Sequence, residues 1–190
     1  MRILMLGNSF TYYHDMPQML GGILGAEVVA HTRGGAALAE QLNPDTEMGA
    51  RTLRALKEEQ WDYVVLQEQS NAPALHRAAF QKSAAALCTL IHENGATPVF
   101  YATWAYREGS AKLATMPYTY DEMDAALTDS YRHAAEVNGA LIAEVGTAFT
   151  QMRGVVNLYE PDDYHPSEAG SVLAAAVIAR AIEAHERSRA

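Results

Sequence analysis

A chain of 190 residues has the length of one ordinary domain, and 49% apolar with 19% charged residues is typical of a globular protein that buries a core. The net charge of −9 argues against nucleic acid or an anionic membrane as the main partner, because both attract basic surfaces. The single cysteine, Cys88, excludes an internal disulfide, and its place in an apolar helical pattern indicates a structural thiol.

The N-terminal sequence predicts a protein without a secretory leader. The apolar stretch after Met1 ends at Gly7, which is too short for a signal peptide. No apolar run reaches the roughly 18 residues that a membrane-spanning helix requires. We therefore expect a cytoplasmic protein.

Five short apolar segments predict β-strands, because they are too short for buried helices and several are β-branched. They cover residues 3–6, 28–31, 63–67, 98–104 and 141–145. Stretches with helical periodicity separate them. One such helix ends at Gly95, another begins with a capping-box pattern of Thr119 and Glu122, and a last one is predicted over about 167–186.

Strands that alternate with helices predict parallel pairing through right-handed crossovers, and hence a three-layer α/β/α sandwich. We find no internal repeat and no linker, so one domain over 1–190 is the simplest organisation. Ligands of such sheets bind beyond the carboxyl ends of the strands. Residues 106–117 have weak periodicity and are the best candidate for a loop over that site.

Three residues from the two ends of the chain form a candidate catalytic set. Ser9 follows the first predicted strand, where it would either act as a nucleophile or simply cap the following helix. Asp162 stands three residues before His165 in a loop bounded by prolines. A serine hydroxyl needs a base, and the base needs a group that fixes its tautomer. The alternative for His165 is a solvated surface side chain.

These residues carry a resemblance to a known family. The run from Ile3 to Thr11, with Gly7-Asn8-Ser9 at its centre, resembles the first sequence block of the SGNH (GDSL-like) hydrolases, in the variant GNS. The sequence Asp-x-x-His at 162–165 resembles the last block of that family. The pair Gly34-Gly35 lies where the second block supplies a backbone N–H group.

The resemblance implies a flavodoxin-like sheet of five parallel strands and acyl transfer through a Ser9–His165–Asp162 triad. It further implies an oxyanion hole made by the backbone N–H of Ser9, that of Gly34 or Gly35, and one side-chain amide. The third block of the family reads Gly-x-Asn-Asp, whereas this chain reads QEQSN at 67–71. Gln69 takes the Asn position when the blocks are aligned from the strand end, and Asn71 is the competing candidate.

Several further residues are candidates for contacts with substrate. Asn8 replaces the Asp of the name-giving motif, and Glu68 would be a second acid or a hydrogen-bonding partner unless it is solvated. Trp104 and Tyr106, with the adjoining Arg107, would form a wall for an acyl group or a sugar ring, or else pack in the core. His14 is a further candidate near the nucleophile.

No spacing of His, Cys or acidic residues predicts a metal site, and no Walker A or GxGxxG pattern predicts a nucleotide, so we expect no cofactor. The sequence therefore predicts a serine esterase that acts on short acyl groups, most simply acetyl, carried by a carbohydrate or another small molecule. The alternatives are a lipase or thioesterase for longer chains and a non-catalytic flavodoxin-like binding module. The oligomeric state stays open.

Overall fold

The computed structural model describes residues 1–189 and contains one five-stranded parallel sheet in the order β2-β1-β3-β4-β5. The strands are β1 (Arg2–Gly7), β2 (Glu27–Thr32), β3 (Tyr63–Leu66), β4 (Thr97–Tyr101) and β5 (Leu141–Ala143). This sheet confirms the predicted fold class. The fourth and fifth strands end earlier than predicted, because the chain turns away from the sheet after Ala102 and after Ala143.

Helices cover both faces of the sheet. They are α1 (Ser9–Tyr12), α2 (Met16–Leu24), α3 (Leu38–Gln41), α4 (Glu47–Glu58), α5 (Ala72–Leu75), α6 (Arg77–Asn94), α7 (Tyr120–Val137), α8 (Val145–Gln151) and α9 (Glu168–Arg189), with short 3-10 turns at Tyr13–Asp15 and Leu113–Thr115. Within residues 1–189, none of the helices combines the length and the hydrophobicity that crossing a bilayer requires.

The central strand β1 shows how the two apolar cores arise. Successive side chains of a strand point to opposite faces. Ile3 and Met5 therefore pack in one core with Ile178 of α9, while Leu4 and Leu6 pack in the other. The second core also holds residues of α4 and α6, among them Cys88, whose thiol is buried. Burial raises the pKa of Cys88 to about 12, which keeps the thiol protonated at neutral pH.

Local signals fix the helix ends as the sequence predicts. Thr119 and Glu122 form both bonds of the capping box at the start of α7, and Gly95 ends α6 in the left-handed conformation at φ 86°. Ser167 accepts a hydrogen bond from the N–H of Gly170 in the first turn of α9. These contacts follow from residues close in sequence, which is why they are predictable.

The strand order places the functional loops next to one another. Strand β1 lies between β2 and β3, so the chain crosses over in opposite directions on its two sides. Loops diverge at such a switch point and leave a crevice beyond the carboxyl ends of the strands. The segments after β1, β2 and β3 all open into this crevice.

Candidate active site

The turn after β1 places Ser9 at the crevice, and its neighbour Asn8 caps the short helix α1. The side-chain oxygen of Asn8 accepts a hydrogen bond from the N–H of Phe10 at 3.1 Å. The amide nitrogen of Asn8 donates to the carbonyl of Ala36 at 2.9 Å. Both ends of the Asn8 amide are thus engaged within the protein, and Ser9 has no capping role.

Gly7 is required because the side chains of Thr11 and Gln67 pack closely against this turn. A Cβ at Gly7 would lie 2.3 Å from Oγ1 of Thr11 and 2.6 Å from Oε1 of Gln67. The same Oε1 of Gln67 accepts hydrogen bonds from the N–H of Asn8 at 2.9 Å and from the hydroxyl of Thr11 at 3.0 Å. Gln67 therefore fixes the nucleophile turn, a role for which the sequence gives no local signal.

Ser9, His165 and Asp162 form a continuous chain of hydrogen bonds across 156 residues of sequence. Oγ of Ser9 lies 2.8 Å from Nε2 of His165. Nδ1 of the same imidazole lies 2.6 Å from Oδ2 of Asp162. The other carboxylate oxygen accepts backbone N–H bonds from Tyr164 at 3.2 Å and from His165 at 3.0 Å.

The environment of Asp162 keeps it ionised. Burial raises the pKa of Asp162, but the hydrogen bonds from the His165 ring and from two backbone N–H groups outweigh it and leave the pKa below its ordinary value. An ionised carboxylate can only accept, so Nδ1 of His165 carries the proton. In the neutral imidazole, Nε2 is then the lone-pair acceptor and faces the Ser9 hydroxyl.

Aromatic rings hold the imidazole in place. The ring of His165 lies 4.3 Å from the ring of Tyr13 and 4.1 Å from that of Tyr164, measured between centroids. The backbone carbonyl of His165 accepts a hydrogen bond from the N–H of Glu160 at 2.9 Å, which closes the loop on itself. The side chain of His165 is buried apart from the face that meets Ser9 and the crevice.

Three residues that line the crevice, Ser9, Gly34 and Gly35, have backbone N–H groups without an internal partner among the described residues. Gly35 adopts φ 69°, a left-handed conformation that strains most other residues. The side chain of Arg33 pairs with Glu40 and donates a hydrogen bond to the carbonyl of Gly34, which restrains the loop that carries the two glycines.

Glu68 lies behind this side of the crevice and is 2% exposed. Its Oε1 accepts backbone N–H bonds from Leu38 at 3.1 Å and from Gln69 at 2.6 Å. Burial raises the pKa of Glu68, while these two bonds act in the opposite direction. The carboxyl group joins the segment after β2 to the segment after β3. This is the hydrogen-bonding role among the alternatives considered from the sequence, and the side chain is not solvated.

Both candidate amides reach the crevice. The Gln69 amide oxygen accepts from the N–H of Asn71 at 3.4 Å, and its nitrogen donates to Oγ of Ser70 at 3.4 Å. In the described part of the chain, the Asn71 amide nitrogen has one hydrogen-bond partner, the sulfur of Met116 at 3.6 Å. Sulfur is a weak acceptor, so the Asn71 amide is the one that a new acceptor can most easily engage.

The crevice has a volume of about 390 Å³. Its lining consists of polar, glycine and aromatic residues: Asn8, Ser9, Phe10, Tyr12, Tyr13, Gly34, Gly35, Gln69, Ser70, Asn71, Tyr106, Lys112, Tyr164 and His165. The hydroxyl of Tyr106 lies 2.8 Å from Oγ of Ser70, and this contact fixes one wall.

Comparison with known proteins identifies this architecture. No family model and no curated protein matches the chain. Among solved structures, a protein from Slackia heliotrinireducens assigned to the SGNH hydrolases is 48% identical, with 96% of this chain and 98% of that chain covered and a TM-score of 0.92. The chain belongs to the SGNH hydrolases.

Two more distant structures share the fold of this SGNH hydrolase. A DUF4886 family protein from Bacteroides uniformis is 20% identical at a TM-score of 0.74, over 95% of this chain and 82% of that chain. An acetylxylan esterase from Geobacillus stearothermophilus is 15% identical at a TM-score of 0.66, over 95% and 93%. Family membership makes the chain an enzyme of the class that hydrolyses ester bonds, and the alternative of a non-catalytic module is set aside.

Trp104 is not among the residues that line the crevice of this SGNH hydrolase, and it packs in the core, the second of the two alternatives considered from the sequence. Its ring is fully buried and stacks between Phe10 at 4.7 Å and Phe149 at 4.0 Å. Its Nε1 donates to the backbone carbonyl of Tyr164 at 3.0 Å. The large apolar surface of the indole favours its burial in the core. From there Trp104 supports the loop that carries Asp162 and His165.

Arg107 and His14 also lie outside the crevice lining. Arg107 pairs with Asp163 at 3.0 Å, and its backbone N–H donates to the carbonyl of Asp163 at 2.9 Å. His14 contacts Glu160 at 2.9 Å. Each contact ties a neighbouring segment to the loop that carries Asp162. Within residues 1–189, no three His, Cys, Asp or Glu side chains are grouped closely enough to hold a metal ion.

Proposed function

We propose that the enzyme is a serine esterase that releases short acyl groups, above all acetyl, from small polar alcohols such as carbohydrates. The observation that supports this most is the hydrogen-bonded series Ser9–His165–Asp162, which ends at a crevice with unpaired backbone N–H groups. A nucleophile, a base in the correct tautomer and donors for a developing oxyanion are the groups that acyl transfer needs.

In this proposal, Oγ of Ser9 bonds to the carbonyl carbon of the ester while its proton passes to Nε2 of His165. The carbonyl π electrons move onto oxygen, where the N–H groups of Ser9 and of Gly34 or Gly35 and one side-chain amide donate to it. Collapse expels the alcohol, which takes the proton from His165. Water, deprotonated by His165, then attacks the acyl group on Ser9. The bond to Oγ breaks, Oγ takes the proton back from His165, and the carboxylic acid is released.

The crevice lining supports a short acyl group over a long one. Among the described residues that form it there is no Leu, Ile, Val or Met, and Phe10 is its one wholly apolar side chain. A long alkyl chain needs an apolar groove, whereas tyrosine hydroxyls and amides suit an alcohol rich in hydroxyl groups. The fold is shared with an acetylxylan esterase, which acts on an acetylated carbohydrate.

The first test is hydrolysis of p-nitrophenyl acetate by the wild type, Ser9→Ala and Ser83→Ala. Ser83 is a comparably buried serine on α6, so it is a matched control. We expect Ser9→Ala to lower kcat by at least about 10³-fold and Ser83→Ala to keep the wild-type rate. A fluorophosphonate should add its mass to the wild type and not to Ser9→Ala. Full activity in Ser9→Ala would contradict the proposal.

A chain-length series tests the acyl specificity separately. We expect kcat/KM to fall steadily from p-nitrophenyl acetate to the octanoate, because the crevice offers longer chains little apolar surface. A maximum at eight carbons or more would replace the acetyl proposal with the lipase or thioesterase alternative.

A further inference from the structure

Lys112 is the one lysine or arginine among the described residues that line the crevice, and no Asp or Glu side chain lines it. This is unusual for a chain with 23 acidic residues and 14 lysines and arginines. The ammonium group therefore dominates the fixed charge inside the crevice, apart from the pair that Asp162 forms with His165 at its edge.

The position of Lys112 is set by its neighbours on the 106–117 loop. Leu113 follows it, begins a 3-10 turn and is packed into the core. The N–H of Leu113 donates to Oγ of Ser110 at 3.0 Å. Nζ of Lys112 lies 4.4 Å from the ring centroid of Tyr164 and 5.5 Å from that of Tyr106. Tyrosine faces attract an ammonium group without neutralising its charge.

Lys112 differs from the cations of the neighbouring cavity. That cavity of about 430 Å³ contains Arg107 and Arg153. Arg107 pairs with Asp163, and Arg153 pairs with Asp121 and lies 3.5 Å from Glu108. Within residues 1–189, no carboxylate lies within 4.0 Å of the Lys112 ammonium. Its charge is available to a ligand, whereas the arginine charges are already balanced.

We propose that Lys112 selects esters that carry a carboxylate, and that it does so by pairing with that carboxylate in the crevice that it lines together with Ser9 and His165. The proposal rests on the esterase function proposed above and narrows its substrate class to acidic small molecules, such as acylated aryl or sugar acids. The ring of Tyr164 is 4.1 Å from the His165 ring and 4.4 Å from the ammonium. Because the imidazole and the ammonium both contact this one ring, a carboxylate about one aromatic ring away from the scissile ester is within reach of Lys112.

The electrostatic environment of the crevice favours the ion pair between Lys112 and a substrate carboxylate. An ion pair in a partly enclosed crevice is stronger than the same pair in bulk water. The net charge of −9 repels anions from the rest of the surface, so a local cation is needed to admit them. An acidic substrate would thus be recognised in the crevice and poorly held elsewhere on the molecule.

The test compares two substrates of nearly equal shape, 4-acetoxybenzoate and 4-acetoxybenzamide. The kcat/KM value of each is divided by its uncatalysed rate constant, which removes the difference in leaving groups. The preference for the benzoate is measured in the wild type, Lys112→Met, Lys112→Arg and Lys112→Glu. Lys82→Met removes one exposed charge from α6 and is the matched control.

We expect the wild type to prefer the benzoate by about tenfold, mostly through a lower KM. Lys112→Met should abolish the preference, Lys112→Glu should reverse it, and Lys112→Arg should keep most of it because the charge is retained. Lys82→Met should leave the preference as in the wild type. Raising salt from 50 mM to 500 mM should weaken the preference in the wild type.

Two outcomes overturn the inference while the esterase function stands. One is hydrolysis of both substrates by the wild type without preference, and the other is an equal loss of preference in Lys82→Met and Lys112→Met. If the wild type hydrolyses neither these esters nor p-nitrophenyl acetate, the proposed function fails and the inference fails with it. Thermal melting of each variant shows whether it is folded when the preference is measured.

Discussion

The two sides of the crevice are built in different ways. On the triad side, functional side chains bond directly to one another, from Ser9 to His165 and on to Asp162. On the opposite side, backbone N–H groups and amides stand without strong partners and are held from behind by buried polar groups such as Glu68. The positions of Ser9 and His165 relative to each other are thus fixed by direct contact between the two side chains. The side that would stabilise the oxyanion is held in place by buried residues, such as Glu68, that do not line the crevice.

The largest effect is expected on the triad side, at the end of its series of hydrogen bonds. Asp162→Asn should lower kcat by about 10³- to 10⁴-fold, because an amide nitrogen opposite Nδ1 favours the wrong tautomer of His165. The rate of p-nitrophenyl acetate hydrolysis measures this. Asp163→Asn is the control, since that neighbouring carboxylate pairs with Arg107 outside the crevice. A decrease in kcat of less than tenfold in Asp162→Asn would contradict the proposal that Asp162 orients the imidazole of His165.

The next effect separates the two amides on the opposite side. Asn71→Ala should lower kcat by about 10²-fold, which is typical for the loss of one oxyanion donor. Gln69→Ala should have a smaller effect, because its amide is already engaged by Ser70 and by the backbone of Asn71. The values of kcat and KM for each variant decide the assignment. The reverse ranking would give the donor role to Gln69, as the family alignment suggests.

A smaller effect on kcat is expected at Glu68, which holds the two segments that carry the proposed oxyanion donors. Glu68→Ala removes the acceptor for the N–H groups of Leu38 and Gln69, so both segments shift and kcat should fall about tenfold at nearly constant KM. Glu68→Gln keeps a carbonyl oxygen at the same place and should recover most of the rate. If Glu68→Ala melts earlier but retains wild-type kcat while folded, the residue is purely structural.

The smallest effect concerns stability beneath the loop that carries Gly34 and Gly35. His31 lies at the end of β2, contacts Thr52 at 2.9 Å and is 3% exposed. Burial, with the charge of Arg51, lowers the pKa of His31 to about 4. The unfolded chain, with an ordinary pKa of about 6.5, binds the proton first, so stability is complete above that value and falls as pH drops toward 4.

Urea unfolding at pH 7.5 and pH 4.5 measures this dependence. The wild type should lose about 2 kcal/mol more than His31→Gln between these two values, at about 1.36 kcal/mol per pKa unit. The subtraction removes the contribution of the carboxylates, which titrate in both proteins. Equal losses of unfolding free energy in the two proteins would show that protonation of His31 does not contribute to the pH dependence of stability.

The contrast between the two sides also explains what the sequence could predict. The strands, the capping box at Thr119 and the position of Ser9 after a strand follow from patterns within a few residues. Asp162 and His165 are three residues apart, so a local spacing suggested the pair. Gln67, Glu68 and Trp104 depend instead on segments about 30 to 60 residues away, and no local pattern records those partners.

The environment of Lys112 is another feature that its sequence neighbours do not predict. A lysine in a loop of weak periodicity is ordinarily solvated, and its sequence neighbours give no reason to single it out. Its environment is created by Tyr106 and Tyr164, which are brought together by the fold. The charge of a crevice is therefore a property of the tertiary structure and not of composition.

The position of His165 has a consequence for synthesis of the protein. Its partner Ser9 is translated 156 residues earlier, and α9 follows His165 directly. Helix α9 packs against α2, close after the turn that carries Ser9, so α2 lacks this supporting surface until α9 docks. The proposed triad is therefore completed only after His165 has been translated and α9 has docked.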